Sequence, residues 1–311
     1  MNKLTRFIMY ILMMSLITSL GSKMVLANAT TFTDEELSYI KDHPIVTIAI
    51  DAEFVPYEFI DSDGTYKGIA ADYLKLIEVR SGLSFDLIPT KSWSESYNMA
   101  LAGEVDLLPI VGITDYRQTK VLFTESYMTF QRVLISNTNT EPHSFSKLED
   151  YEVGVQSNSS HYGFVSENYN VEPVKYESIN ELLSALSANT IEVGIANSAT
   201  AKYHIKQLGL TNIKIDDTHG ETNTELAMAI TNNNELLHSI INKSLSDVTN
   251  EERTSIMNKW LGIDIEADYT PYKIAVGIGL IIIASIMSWS YLLKREIRQR
   301  KKLQVDLSYA K

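Results

Sequence analysis

The sequence predicts an α/β protein built as two strand-and-helix units and followed by one transmembrane helix. Three observations carry this. Short apolar strands alternate with amphipathic helices from residue 45, the alternation restarts after RVLISN at 132–137, and IAVGIGLIIIASIMSWSYLL runs from 274 to 293 without a charge. A chain of 311 residues with 45% hydrophobic and 21% charged residues has room for about two globular domains.

The chain opens with Lys3 and Arg6, an apolar run FIMYILMMSLITSL and small residues at Ala27-Asn28-Ala29. That order predicts a secretory signal peptide over 1–29, cut after Ala27 or Ala29, with an uncleaved N-terminal anchor as the alternative. The first unit then reads IVTIAI, GIAADYLKLIEVRSG, FDLIP, SWSESYNMALAGE and VDLLPIV, a βαβαβ pattern around a largely buried sheet. Ile69, Tyr73, Leu76 and Ile77 fall on one stripe of the helix over 69–80, which Gly82 ends. Residues 121–127, VLFTESY, read as strand-like. The second unit reads YEVGVQ followed by a helix, VEPVKY, SINELLSALSAN, IEVGIAN, TAKYHIKQLG and NIKI. One more strand, TELAMAI at 224–230, and two helices close one of the two units.

Residues 264–273 form a short acidic linker. The apolar segment 274–293, at about 1.5 Å rise per residue, covers the roughly 30 Å of bilayer hydrocarbon. A basic tail, 294–311, follows at once and so belongs in the cytoplasm, which places residues 30–272 in the periplasm. The chain carries a net charge of −12, and its basic residues crowd the two ends, so the outside part is more acidic than the whole. That field excludes nucleic acid as a partner. No cysteine is present, which excludes disulfides and thiolate chemistry. The six histidines lack ligand spacing and read as scattered surface residues, so neither a metal nor a cofactor is expected.

Two stretches carry candidate binding chemistry. IDAEFVPYEFIDSDG places Asp51, Phe54 and Tyr57 just after a strand, where α/β sheets hold ligands, although the two rings fit packing under their own loop equally well. GITDYRQTK sets Arg117 after a Gly-Ile-Thr turn.

These motifs, together with GIAADYLKLI, TKSWSESYNMALAGEVDLLP, TDYRQTKVLFTESY and IMNKWLG, make residues from about 33 to 263 resemble the bacterial extracellular solute-binding proteins of family 3. This is the polar amino acid binding type, and the nearest likeness is to the Venus-flytrap sensor domains of BvgS-like receptors. The resemblance implies a two-lobed periplasmic-binding-protein clamp of type II over 30–263, with lobe 1 about 34–131 plus 222–263 and lobe 2 about 134–218. It further implies that Arg117 makes a two-pronged contact with a ligand carboxylate, helped by Gly112 and Thr114, since a guanidinium fork matches two carboxylate oxygens. Ser157, Asn158 and Ser159 would cap a helix near His161 and turn N–H groups toward the same carboxylate; capping alone suits them equally. Where amino acid binders of the family place an aspartate for the ligand ammonium, this chain has Asn197, and Asp51 or Asp72 is left to supply that charge.

The function so implied is a membrane-anchored sensor for a small carboxylate-bearing solute, an amino acid or related metabolite, and not an enzyme. It reads as a truncated sensor kinase or diguanylate cyclase receptor, with a homodimer or a separate cytoplasmic partner both open. A tethered receptor for an ABC transporter and a periplasmic dehydratase are the alternatives.

Overall fold

A computed structural model of the chain describes residues 30–218, 224–262 and scattered positions between 279 and 298. The expected signal peptide and linker, and most of the expected membrane helix and tail, lie outside those residues. Among the described residues no helix is long and apolar enough to cross a membrane.

The first lobe begins with α1 (Asp34–Asp42), a helix that the strand-and-helix alternation does not announce. A capping box starts it: the Thr33 hydroxyl accepts from the Glu36 amide at 3.2 Å, and the Glu36 carboxylate accepts from the Thr33 amide at 2.7 Å. Then come β1 (Ile45–Ile48), a hairpin of β2 (Phe59–Ile60) and β3 (Tyr66–Lys67), α2 (Ile69–Ser81), β4 (Ser84–Leu87), α3 (Trp93–Ala102), β5 (Leu107–Gly112), the single turn α4 (Asp115–Gln118), β6 (Leu122–Phe123) and β7 (Met128–Phe130). Gly82 ends α2 in the left-handed region, at φ 78°. The strand-like stretch after Arg117 is split: only Leu122 and Phe123 pair, and a second short strand starts at Met128.

One residue, Gln131, separates β7 from the second lobe. That lobe holds β8 (Arg132–Asn137), a 3-10 turn at Phe145–Asp150, β9 (Val153–Gln156), α5 (Ser160–Asn168), β10 (Val174–Tyr176), α6 (Ile179–Ser187), β11 (Val193–Asn197), α7 (Ser198–Gln207) and β12 (Ile213–Thr218). The chain returns to the first lobe with β13 (Thr224–Ile230), α8 (Glu235–Ser246) and α9 (Asn250–Leu261).

The first sheet runs β4-β1-β5-β13-β6, with β7 also on β13; the second runs β10-β9-β11-β8-β12. In the first, β1 is parallel to β4 and β5, with Ile48 opposite Leu107, whereas β13 is antiparallel to β5. Helices cover both faces of such a sheet, so its central strands are apolar throughout. β9 is parallel to both β10 and β11. The second core gathers Leu182, Leu183 and Leu186 of α6 against Val133 and Ile135. Burying one such leucine stabilises by about 1.5–3 kcal/mol. The topology matters for the site because neighbouring parallel strands end on the same edge: in the first sheet β1 leads to Asp51 and β5 to Gly112, and in the second β9 ends at Gln156.

Three histidines depart from the surface expectation. His143, His161 and His204 are buried because each ring has a specific partner: the Asp216 carboxylate, the Arg132 guanidinium and the Glu53 carbonyl respectively.

Candidate functional site

The loops after β1, β5 and β9 close around a cavity of about 40 Å³, lined among others by Asp51, Phe54, Trp93, Gly112, Arg117, Phe130, Gln156, Ser159 and Ser160. That is room for a few water molecules. A solute of amino acid size enters only if the lobes part or side chains move.

Arg117 dominates the cavity. Thr114 caps α4 by accepting from the Arg117 amide at 3.3 Å, which turns the Arg117 side chain back toward β5. Its Nη1 donates to the Gly112 carbonyl at 2.7 Å, and its Nη2 donates across the cleft to the Asn158 carbonyl at 2.5 Å. The guanidinium lies 5.0 Å from the Tyr97 ring centroid and 5.5 Å from that of Trp93. It is 4% exposed, and burial lowers its pKa, yet an arginine starts so high that the fork keeps its charge.

The opposite charge comes from Asp51. Its carboxylate accepts from the Glu53 amide at 3.0 Å and from the Gln156 side chain of the second lobe at 3.4 Å, and burial pushes its pKa up to about 6. Glu58, fully buried, fixes this loop: it accepts from the Asp51 amide at 2.8 Å and from the Tyr66 hydroxyl at 3.2 Å. Burial raises the Glu58 pKa well above the carboxylate range.

Phe54 lines the cavity, while Tyr57 stacks beneath it at 4.6 Å and turns its hydroxyl toward the Asn197 amide, with its pKa pushed up to about 12 by burial. Ser159 is the N-cap of α5 and lines the cavity, whereas Ser157 and Asn158 act through their backbones. The Ser157 amide donates to the Tyr176 carbonyl at 2.7 Å; Asn158 adopts φ 55°, a left-handed conformation that asparagine tolerates. Asn197 does not line the cavity. Its side-chain oxygen caps α7 by accepting from Ala199 and Thr200, which leaves its buried Nδ2 on the side of the Tyr57 hydroxyl. Asp72 lies elsewhere, accepting from Trp260 at 2.7 Å and Lys259 at 2.6 Å, so it ties α2 to α9 and does not line the cavity.

The sequence reading missed Trp93, Phe130, Gln156 and Ser160. The last two flank the Ser-Asn-Ser stretch it did select, and Trp93 opens the helix after β4; position after a strand end is the signal that could have found them. It also missed a buried pair beside the cavity. Arg132 Nε donates to His161 Nδ1 at 3.2 Å, so that nitrogen carries no proton and the ring is neutral. Burial, then Arg132 and Arg117, hold the His161 pKa well below its usual value. Among the described residues no three histidine, aspartate or glutamate side chains converge to hold a metal ion.

The whole arrangement is a box with a fixed positive fork, a carboxylate and aromatic walls, shared between two lobes. The proteins similar to this chain include sensors. The chain is 25% identical over 297 residues to virulence sensor protein BvgS of Bordetella pertussis (strain Tohama I), covering 93% of this chain and 24% of that protein. It is 22% identical over 294 residues to sensor protein EvgS of Escherichia coli K12, covering 92% and 24%. It thus spans about a quarter of the length of the curated relatives it matches. Among solved structures, the BvgS periplasmic VFT2 domain from Bordetella pertussis aligns with a TM-score of 0.66 at 23% identity, covering 74% of this chain and 99% of that one, and shows the same two-lobed Venus-flytrap fold. The model of the bacterial extracellular solute-binding proteins, family 3, matches residues 46–263, well over half of the sequence, and the chain belongs to that family.

Proposed function

We propose that the chain is a periplasmic sensor ectodomain, anchored by a single membrane helix at 274–293, whose clamp closes on a small carboxylate-bearing solute. The observation that carries this is Arg117, a buried guanidinium in the interlobe cleft whose two arms rest on uncharged main-chain oxygens. Among the described residues no carboxylate forms an ion pair with it, Glu167 acting only from farther away, and an incoming carboxylate supplies that partner in a geometry the fork already presents. Asp51 lines the same cavity and offers a matching site for an ammonium group, so once the lobes or side chains give way the two residues suit the two ends of an amino acid. The lobes join through Gln131 on one side, so preferential binding to the closed form shifts one lobe against the other. The short linker 264–273 passes that movement to the helix, and the tail 294–311 lies in the cytoplasm.

Thermal-shift screening of the full chain in lipid nanodiscs, against amino acids and small mono- and dicarboxylates, tests the reading. At least one acid is expected to raise the melting temperature, because a ligand that binds only the folded clamp stabilises it, and Arg117→Ala is expected to abolish the shift. A shift that survives Arg117→Ala, or no shift with any acid, overturns it.

A further inference from the structure

The Asn158 carbonyl receives two donors from the opposite lobe. Arg117 Nη2 reaches it at 2.5 Å, and the indole Nε1 of Trp93 reaches it at 2.9 Å. A carbonyl oxygen has two lone pairs, so both bonds form together. Its direction is set by the left-handed Asn158 backbone, pinned on either side by the Ser157 amide on the Tyr176 carbonyl and the Ser159 amide on the Gln156 carbonyl at 3.2 Å. Trp93 is itself fixed: it is buried in the first turn of α3, stacks on Tyr97 at 5.6 Å and flanks the Arg117 guanidinium.

We propose that the Asn158 carbonyl is an exchangeable internal acceptor for Arg117, and that Trp93 is the positioning residue that keeps the lobes tied at Asn158 once the clamp has closed on the solute. This rests on the reading that Arg117 takes a carboxylate. A carboxylate is a stronger acceptor for a guanidinium than a peptide oxygen, so it displaces Asn158 from Nη2. One hydrogen bond from Nη2 breaks, another forms, and no proton is transferred. Because the indole N–H stays on Asn158, the released carbonyl is not stranded and one bridge between the lobes persists. Without that N–H the same exchange leaves a buried acceptor unsatisfied and removes the tie at Asn158, so the lobes are left to the bonds of Gln156 to Asp51 and of Asn180 and His204 to Glu53. Trp93 therefore governs how tightly the solute is held through a bond made between the protein's own lobes.

The absence of cysteine makes the test clean. Nitroxides at Asp86→Cys in the first lobe and Glu172→Cys in the second, both exposed positions, report lobe separation in the full chain in nanodiscs, with L-glutamine, L-glutamate and succinate as probes. Trp93→Phe keeps a ring and removes the N–H. It is expected to lengthen or broaden the label distance and to weaken the tightest-binding probe about ten-fold. Should the phenylalanine variant fail to fold, benzothienylalanine at position 93, nearly isosteric with tryptophan but without the N–H, is expected to give the same result. An unchanged distance and affinity overturn the proposal and leave the role of Arg117 standing. If the clamp loosens but none of the probes binds the unmodified chain, the bridge stands, and the carboxylate reading falls together with the exchange.

Discussion

The two walls of the cleft are made of different material. The first lobe contributes charged and aromatic side chains at strand ends: Arg117, Asp51, Trp93 and Phe54. The second contributes Gln156, a left-handed peptide at Asn158 and the small hydroxyls of Ser159 and Ser160 at the start of α5. Its own buried cation, Arg132, is engaged within the lobe, 4.0 Å from the Phe164 ring centroid and hydrogen-bonded to His161. Charge in the cavity thus comes from the first lobe, and the second supplies small polar groups and main-chain acceptors.

Substituting the two arginines is the strongest way to break that comparison. Arg117→Ala is expected to weaken a bound carboxylate by about 100-fold or more, close to 3 kcal/mol, because two charge-assisted bonds are lost together. Arg132→Met, which keeps a long apolar stem against Phe164, is expected to change affinity by no more than about three-fold. Titration calorimetry of both variants decides it, and equal losses would erase the distinction between the walls. Asp51 gives the next effect. Its folded pKa is raised from 3.8 to about 6, so the folded clamp holds that proton more tightly than the unfolded chain does. Its contribution is therefore fully present below about pH 4 and lost as pH rises through about 6, a change of at most about 3 kcal/mol. Asp51→Asn is expected to raise stability at pH 7 and to remove this part of the slope in thermal melts run from pH 4 to 7, while an ammonium-bearing guest binds less tightly.

The same contrast decided what could be seen in the sequence. RVLISN and TELAMAI match β8 and β13 in full, because both are pairing strands with nearly continuous apolar runs. α1 was not legible from periodicity, since most of its residues are exposed; the Thr-Asp-Glu-Glu capping signature at 33–36 was its clearest trace. Asp51 stood out because it follows an apolar strand, and Arg117 because its GITDYRQTK stretch resembles the family's. Trp93 and Phe130 did not, since an aromatic at an element's end reads as core until its neighbours are known. Asn197 shows the limit from the other side: its cap depends on local sequence, but its distance from the cavity wall depends on the meeting of two lobes. The burial of His143, His161 and His204 depends likewise on partners remote in the sequence.

Two smaller changes sharpen the division of labour. A Cβ at Gly112 would lie 2.6 Å from the Cβ of Ser160 in the facing lobe, closer than two side chains can sit. Gly112→Ala is expected to hold the lobes apart and weaken closure by about 1–3 kcal/mol, and adding Ser160→Gly is expected to restore it, measured as solute affinity in both variants. Failure of that rescue would mean that the two walls do not meet there. The smallest effect belongs to Thr114. Its hydroxyl accepts from the Arg117 amide, within the first lobe, so Thr114→Ala removes a cap worth about 1 kcal/mol. Because that cap holds the turn carrying the fork, the loss is expected in solute affinity, about five-fold, with Thr114→Ser restoring it. A drop in melting temperature without a change in affinity would instead show that α4 keeps its arginine in place through the Gly112 and Asn158 carbonyls alone.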